Sequence, residues 1–156
     1  QNSFCECTEN MKAYKVATHR HTSEIEQELS NVAGEEIMIS FTPHLIPQKR
    51  GILSTIYVNL NRKSSAEELT EMYKEFYKDE FFVRVKEVGD LPETKHVAGS
   101  NFVDIGVCYD ERLQRAVVVS SLDNIVKGAA GQAVQNMNWL FGLDEKTALT
   151  NPGFYL

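Results

Sequence analysis

The stretch AYKVATHRHTSEIEQ, residues 13–27, contains the change of local structure around which the rest of the chain is arranged. Tyr14, Val16 and Thr18 alternate with Lys15, Ala17 and His19. A period of two puts successive side chains on opposite faces and predicts a strand. Thr22 and Ser23 then offer hydroxyls to cap a helix, and Glu26 follows Ser23 at the spacing of a capping box. That helix is expected over residues 23–31, with Gly34 as its C-terminal residue. Between strand and helix lies His19-Arg20-His21. It sets two imidazoles and a guanidinium beside a helix N-terminus, where free amides favour anions. The corner is the best physical candidate for a working site, and the plain alternative is a solvated polar turn.

Outward from this corner, residues 1–10 are a polar lead-in. EEIMISF at 35–41 reads as a strand with Ile37 and Ile39 on one face. TPHLIPQKRG at 42–51 has two prolines and cannot stay regular for long. ILSTIYVNL at 52–60 is a strong β run. Ser64 or Ser65 then caps a helix reaching about Lys78. Leu69, Tyr73, Phe76 and Tyr77 form its apolar stripe, and Glu67, Glu68, Glu71, Lys74 and Glu75 cover its solvated face. A strand over 81–88 sets Phe81, Val83 and Val85 against Phe82, Arg84 and Lys86. Pro92–Val97 is a short turn or helix, and 101–109 with 114–121 make a hairpin. Asp123 caps a last helix to about Phe141. The order predicts a single α+β domain over 1–156, with a mixed, mostly antiparallel sheet.

Composition narrows the function classes. With 42% hydrophobic and 24% charged residues, the 156-residue chain suits one globular domain with a real core. A net charge of −6 argues against nucleic acid as a partner. No apolar run is long enough to span a bilayer, and no signal peptide is visible. The chain starts QNSFCEC without Met, which suggests a fragment or a processed chain. Cys5, Cys7 and Cys108 are an odd number with poor spacing for a disulfide or a zinc site. Reduced thiols in a cytoplasmic protein are the simplest reading.

Three places could carry chemistry. His19-x-His21 on a strand would put both rings on one face about 6.5–7 Å apart. With Glu24 or Glu26 that spacing could chelate a metal, but no other His or Cys lies nearby, and no metal is expected. As an acid/base, an imidazole near a helix N-terminus stays neutral at physiological pH. Arg20 falls on the opposite face if the strand stays regular. Lys49-Arg50-Gly51 suits a phosphate or carboxylate, with Arg50 able to bind it bidentately. Gly99-Ser100-Asn101 offers a turn with a hydroxyl and an amide. In the last helix, Gly128, Ala129, Ala130 and Gly131 precede an amide stripe of Gln132, Gln135 and Asn136. That pattern suits either tight internal packing or docking on a ligand or another domain. No cysteine has a nucleophile's surroundings, and no glycine-rich phosphate loop is present.

HRHTSEIEQ, SFTPHLIPQKRGILSTIYV, FYKDEFFVRV, TKHVAGSNFVDIGV and SSLDNIVKGAAGQAVQNMNWLFGL together resemble, in order and spacing, the C-terminal part of the N-acetyl-gamma-glutamyl-phosphate reductase family. The resemblance runs from about Tyr14 to Leu143. It implies a catalytic and oligomerisation domain of the glyceraldehyde-3-phosphate dehydrogenase C-terminal type, with helices packed on one face of the sheet. The reaction it implies is reduction of N-acetyl-glutamyl phosphate by NADPH through a Cys thioester, in arginine biosynthesis. His21 or His19 would be the acid/base, with His21 favoured because it lies closer to the helix. Arg20, Arg50 and Ser100 would bind the substrate. Gly131, Gln132 and Asn136 would face the nicotinamide end of NADP, which a nucleotide-binding domain would mainly hold. A homo-oligomer is implied. Ser23 stands where the family commonly has Pro, and either residue fits a first helical turn. The family's Gly-Cys motif and nucleotide loop are absent here and are expected upstream of Gln1, so the chain alone should be inactive. The other class left open is a non-catalytic module that binds an anionic metabolite or a partner.

Overall fold

The computed structural model describes residues 8–154; Cys5 and Cys7 lie outside them. In chain order the elements are β1 (Lys12–Ala13), α1 (His21–Ala33), β2 (His44–Leu45), β3 (Ile52–Asn59), α2 (Ala66–Phe76), β4 (Val83–Val85), a 3-10 turn (Thr94–His96), β5 (Val103–Asp110), β6 (Arg115–Leu122), a π turn (Val126–Ala130) and α3 (Gly131–Leu140). The chain falls into two compact units, the first ending at Lys49 and the second starting at Arg50.

In the first unit, β1 and β2 form an antiparallel ribbon with Lys12 opposite Leu45 and Ala13 opposite His44. The strand expected through Thr18 does not form. Lys15 and Ala17 take φ of 46° and 55°, and Thr18 N–H donates back to Lys15 O. Left-handed residues turn the chain, so the alternation of Val16 and Thr18 meets no partner strand. Helix α1 starts at His21, earlier than expected, and Gly34 (φ 73°) closes it by donating to Ser30 O. Residues 36–43 belong to no sheet either, although Ile37 and Ile39 are half-buried between exposed neighbours. Ile37 N–H donates to Ser30 Oγ at 2.9 Å, and Ile39 N–H to Glu26 Oε1 at 3.1 Å. Side chains of α1 thus satisfy amides that a strand would otherwise have paired.

The second unit is a four-stranded sheet in the order β3-β6-β5-β4. β3 pairs with β6 and β6 with β5 antiparallel, whereas β4 runs parallel to β5. This is the expected mixed, mostly antiparallel α+β sheet. Strand alternation sends Ile105 and Val107 of β5 and Ala116 and Val118 of β6 to one face, where Leu69 of α2 completes a buried cluster. Each Val, Ile or Leu side chain among them contributes about 1.5–3 kcal/mol when fully buried. Ser65 caps α2 by accepting Glu68 N–H. Phe76 does not join the stripe: it is 78% exposed, while Thr70 is buried. Leu69, Thr70, Tyr73 and Tyr77 span the helix face that meets the sheet, and Phe76 falls on its flank.

The strand expected over 81–88 shrinks to β4, which keeps the alternation of half-buried Val83 and Val85 with exposed Arg84, but Phe81 and Phe82 fall outside it. Phe82 is 2% exposed and Phe81 44%. The two phenylalanines lie in a turn, where Phe82 packs against Phe102 with ring centroids 5.6 Å apart. The crossover from β4 to β5 passes over the other face at Gly106, where a Cβ would stand 2.9 Å from Asp90 O and Pro92 Cδ. After β6, Asp123 accepts the Ile125 and Val126 amides, the capping role expected of it. The first turn is wider than an α-helix, with Gly128 N–H donating to Asp123 O and Ala130 N–H to Ile125 O. Phe82→Ala should lower stability by about 3–5 kcal/mol, and Phe76→Ala by less than about 1 kcal/mol. Urea unfolding of the two variants checks this, and equal losses would overturn the burial assigned to the two rings.

Candidate active site

The first unit brings His19 and His21 together, with ring centroids 4.8 Å apart. His19 is half-buried. Its ring meets Tyr14 at 5.4 Å and Phe41 at 5.3 Å, both edge-to-face. His19 Nδ1 accepts the His21 N–H at 3.2 Å. The imidazole therefore satisfies a free amide at the start of α1, the task expected of Thr22 or Ser23. Ser23 Oγ instead donates to Arg20 O, and Thr22 Oγ1 is buried without a partner. Because Nδ1 is an acceptor, the neutral ring carries its proton on Nε2. Burial, then the positive charges of His21, Lys15 and Arg20, hold His19 below its ordinary value. His21 is the exposed first residue of α1, and Arg20 is exposed just before it. Among the described residues, no group of three or more His, Cys, Asp and Glu could hold a metal ion.

The second unit assembles its polar centre by strand register. Ile52 pairs with Leu122, so the residues before β3 lie beside those after β6. Arg50 Nη1 reaches Asp123 Oδ2 at 3.4 Å, and Gly51 N–H donates to Asn124 Oδ1 at 2.8 Å. Asp123 is fully buried. Its Oδ2 also accepts the Gly99 N–H at 2.7 Å, while Oδ1 accepts Ile125 and Val126 at 2.8 and 2.9 Å. Burial pushes this carboxyl up, but the amides of Gly99, Val126 and Ile125 and the Arg50 guanidinium outweigh it. They hold the carboxyl below its ordinary value. The Arg50 side chain is 45% exposed, anchored at one nitrogen and open elsewhere. The sequence marked Asp123 only as a cap; an acidic residue between a strand and a helix was the signal of a wider role.

The other expected site residues are engaged internally. Ser100 is buried, its Oγ donating to Val97 O at 2.8 Å and accepting Phe102 N–H at 3.3 Å. It fixes the turn that Gly99 enters with φ 76°. Gly131 is buried too; a Cβ there would run into Asn101 Oδ1 and stand 2.8 Å from Val126 O. Asn101 Nδ2 in turn donates to Gln135 Oε1, which also accepts Lys127 Nζ. Gln132 Nε2 donates to Asn136 Oδ1 at 2.9 Å. The small residue thus admits Asn101, while Gln132 and Asn136 pair with each other at the surface. Cys108 is half-buried within β5, opposite Val117.

Residues 1–124 match the family model described as semialdehyde dehydrogenase, dimerisation domain. The sequence is 67% identical to N-acetyl-gamma-glutamyl-phosphate reductase of Acetivibrio thermocellus and 58% identical to that of Caldicellulosiruptor saccharolyticus, each over 98% of this chain. The chain spans 44% of the length of either relative. Among solved structures, aspartate semialdehyde dehydrogenase II from Vibrio cholerae shares the fold, with a TM-score of 0.64 at 21% identity. The match covers 79% of this chain and 37% of that one.

Two outcomes follow from this geometry. Gly131→Ala should destabilise by about 1–3 kcal/mol through overpacking, although Ala is the better helix former by about 1 kcal/mol. Gly128→Ala should be close to neutral, since its Cβ would come no closer than 3.4 Å to any neighbour, the nearest being Leu122 Cδ1. Thermal melts separate the two. The depressed Asp123 carboxyl contributes stability that is fully present above its ordinary value of 3.8 and is lost as pH falls through the lower folded value. Between pH 7 and 3 the urea midpoint of the wild type should therefore drop further than that of Asp123→Asn.

Proposed function

The chain belongs to the semialdehyde dehydrogenase dimerisation-domain family, and from that premise we propose that it forms the substrate-binding and subunit-contact part of an N-acetyl-gamma-glutamyl-phosphate reductase. Such a reductase converts N-acetyl-glutamyl phosphate to N-acetyl-glutamate semialdehyde and phosphate, with NADPH as reductant, in arginine biosynthesis. The observation that carries the proposal is the 67% identity, sustained over 98% of the chain, to a relative of that name.

The geometry supports roles for individual residues. In this reading His21, exposed at the start of α1, is the acid/base. It takes the proton of the nucleophilic thiol as the C–S bond forms and phosphate leaves, and it returns one to sulfur when the hemithioacetal left by hydride addition to the thioester breaks its C–S bond to release the aldehyde. His19 has a different task. Its Nδ1 is occupied by the His21 amide, so its Nε2–H is left to donate, as a neutral imidazole, to the acyl oxygen. Arg50 meets an anionic group of the substrate. Cys108, inside a sheet strand, is not placed as the nucleophile. That thiol, and the groups that hold NADPH, belong to other residues of the reductase. Leu53, Ile56 and Tyr57 leave β3 exposed and apolar at the edge of the sheet, which suits contact with a second copy. The reading places the enzyme in the cytoplasm, and no described helix is long and apolar enough to cross a membrane.

The test is phosphate- and NADP-dependent oxidation of N-acetyl-glutamate semialdehyde, the reaction run backwards, by a reductase of the relatives' length carrying this chain. His21→Asn should lower kcat by about 10²–10⁴-fold and remove one limb of the pH–rate profile. His19→Asn should lower kcat by about 10²-fold while keeping that limb. Full activity in both variants would end the acid/base assignment.

A further inference from the structure

We propose that Asp123 is a positioning residue that aims Arg50 at the anionic group of the substrate, an inference that rests on the role given to Arg50 above. A helix cap needs one oxygen, and Oδ1 of Asp123 supplies it to Ile125 and Val126. Its other oxygen points away from those amides, to Gly99 N–H and to Arg50. A buried carboxylate is retained only where donors surround it. Three of its four donors are backbone amides, fixed by the turn at Gly99 and by the π turn, so the carboxylate itself cannot swing. Arg50 is the one side chain among them. The backbone next to Arg50 is fixed as well, by Gly51 N–H donating to Asn124 Oδ1. The guanidinium is thus held by a rigid acceptor on one side, with 45% of the side chain exposed on the other. A fork held in this way meets a phosphate or carboxylate without first losing its own rotamer freedom.

A double-mutant cycle in the reductase carrying this chain tests the proposal, read as KM for acyl phosphate and KM for NADPH. Arg50→Gln should raise the acyl-phosphate KM about tenfold, and Asp123→Asn about fivefold, with the NADPH KM unchanged in both. In the Arg50→Gln background, Asp123→Asn should add less than about twofold, because the two residues act as one unit. Where Asp123→Asn does not fold, Asp123→Ser takes its place, since its hydroxyl can still cap the helix amides. An equal KM penalty with and without Arg50, or a loss in kcat alone, would overturn the positioning role and leave the reductase assignment standing. An unchanged acyl-phosphate KM in Arg50→Gln would instead remove the role of Arg50, and the proposal with it.

Discussion

A carboxylate with no access to water has to be satisfied by protein, and in the second unit that requirement falls at the junction of the sheet and its last helix. Asp123 draws donors from Arg50 two residues before β3, from the turn at Gly99 and from the start of the π turn. These segments are far apart in sequence. They meet because the β3–β6 ladder runs in register to its end, with Ile52 opposite Leu122. A slip of one residue would turn the side chains of β3 to the other face and carry Arg50 out of reach. The parallel strand β4 depends on the same frame, since its crossover lies over β5 at Gly106, where only a hydrogen fits.

The first unit solves a different problem, the free amides at the start of α1. Hydroxyls are the usual acceptors, and two were at hand in Thr22 and Ser23. The imidazole of His19 does the work instead. That choice has a chemical consequence a hydroxyl would not have. It fixes which ring nitrogen of His19 bears the proton. The same turn that ends β1 early, through Lys15 and Ala17, folds the ring of His19 against Tyr14 and Phe41.

Much of the fold is legible in the chain because it rests on local patterns. The hairpin of β5 and β6, strand β3, the Ser65 cap and the Gly34 stop all follow from alternation, β propensity and capping chemistry. The misreadings share one cause. Residues 14–18 and 35–41 alternate as strands do, but pairing depends on a partner that no local pattern supplies. Phe81 and Phe82 are alike in sequence and both rings meet Phe102, and only the turn that holds them decides which is buried.

The site divides in the same way. By itself the sequence determined the residue types, two imidazoles beside a helix start and an arginine before a strong β run, together with their family. Side-chain chemistry and periodicity are properties of neighbouring residues, so they can be read along the chain. Only the tertiary structure decided that His19 caps the helix and that Gly131 makes room for Asn101. It also decided that Ser100 is an internal tie and that Asp123 grips Arg50 across 73 residues of sequence. Hydrogen-bond partners are assigned by distance in space, and that distance is set by strand register and packing rather than by order along the chain.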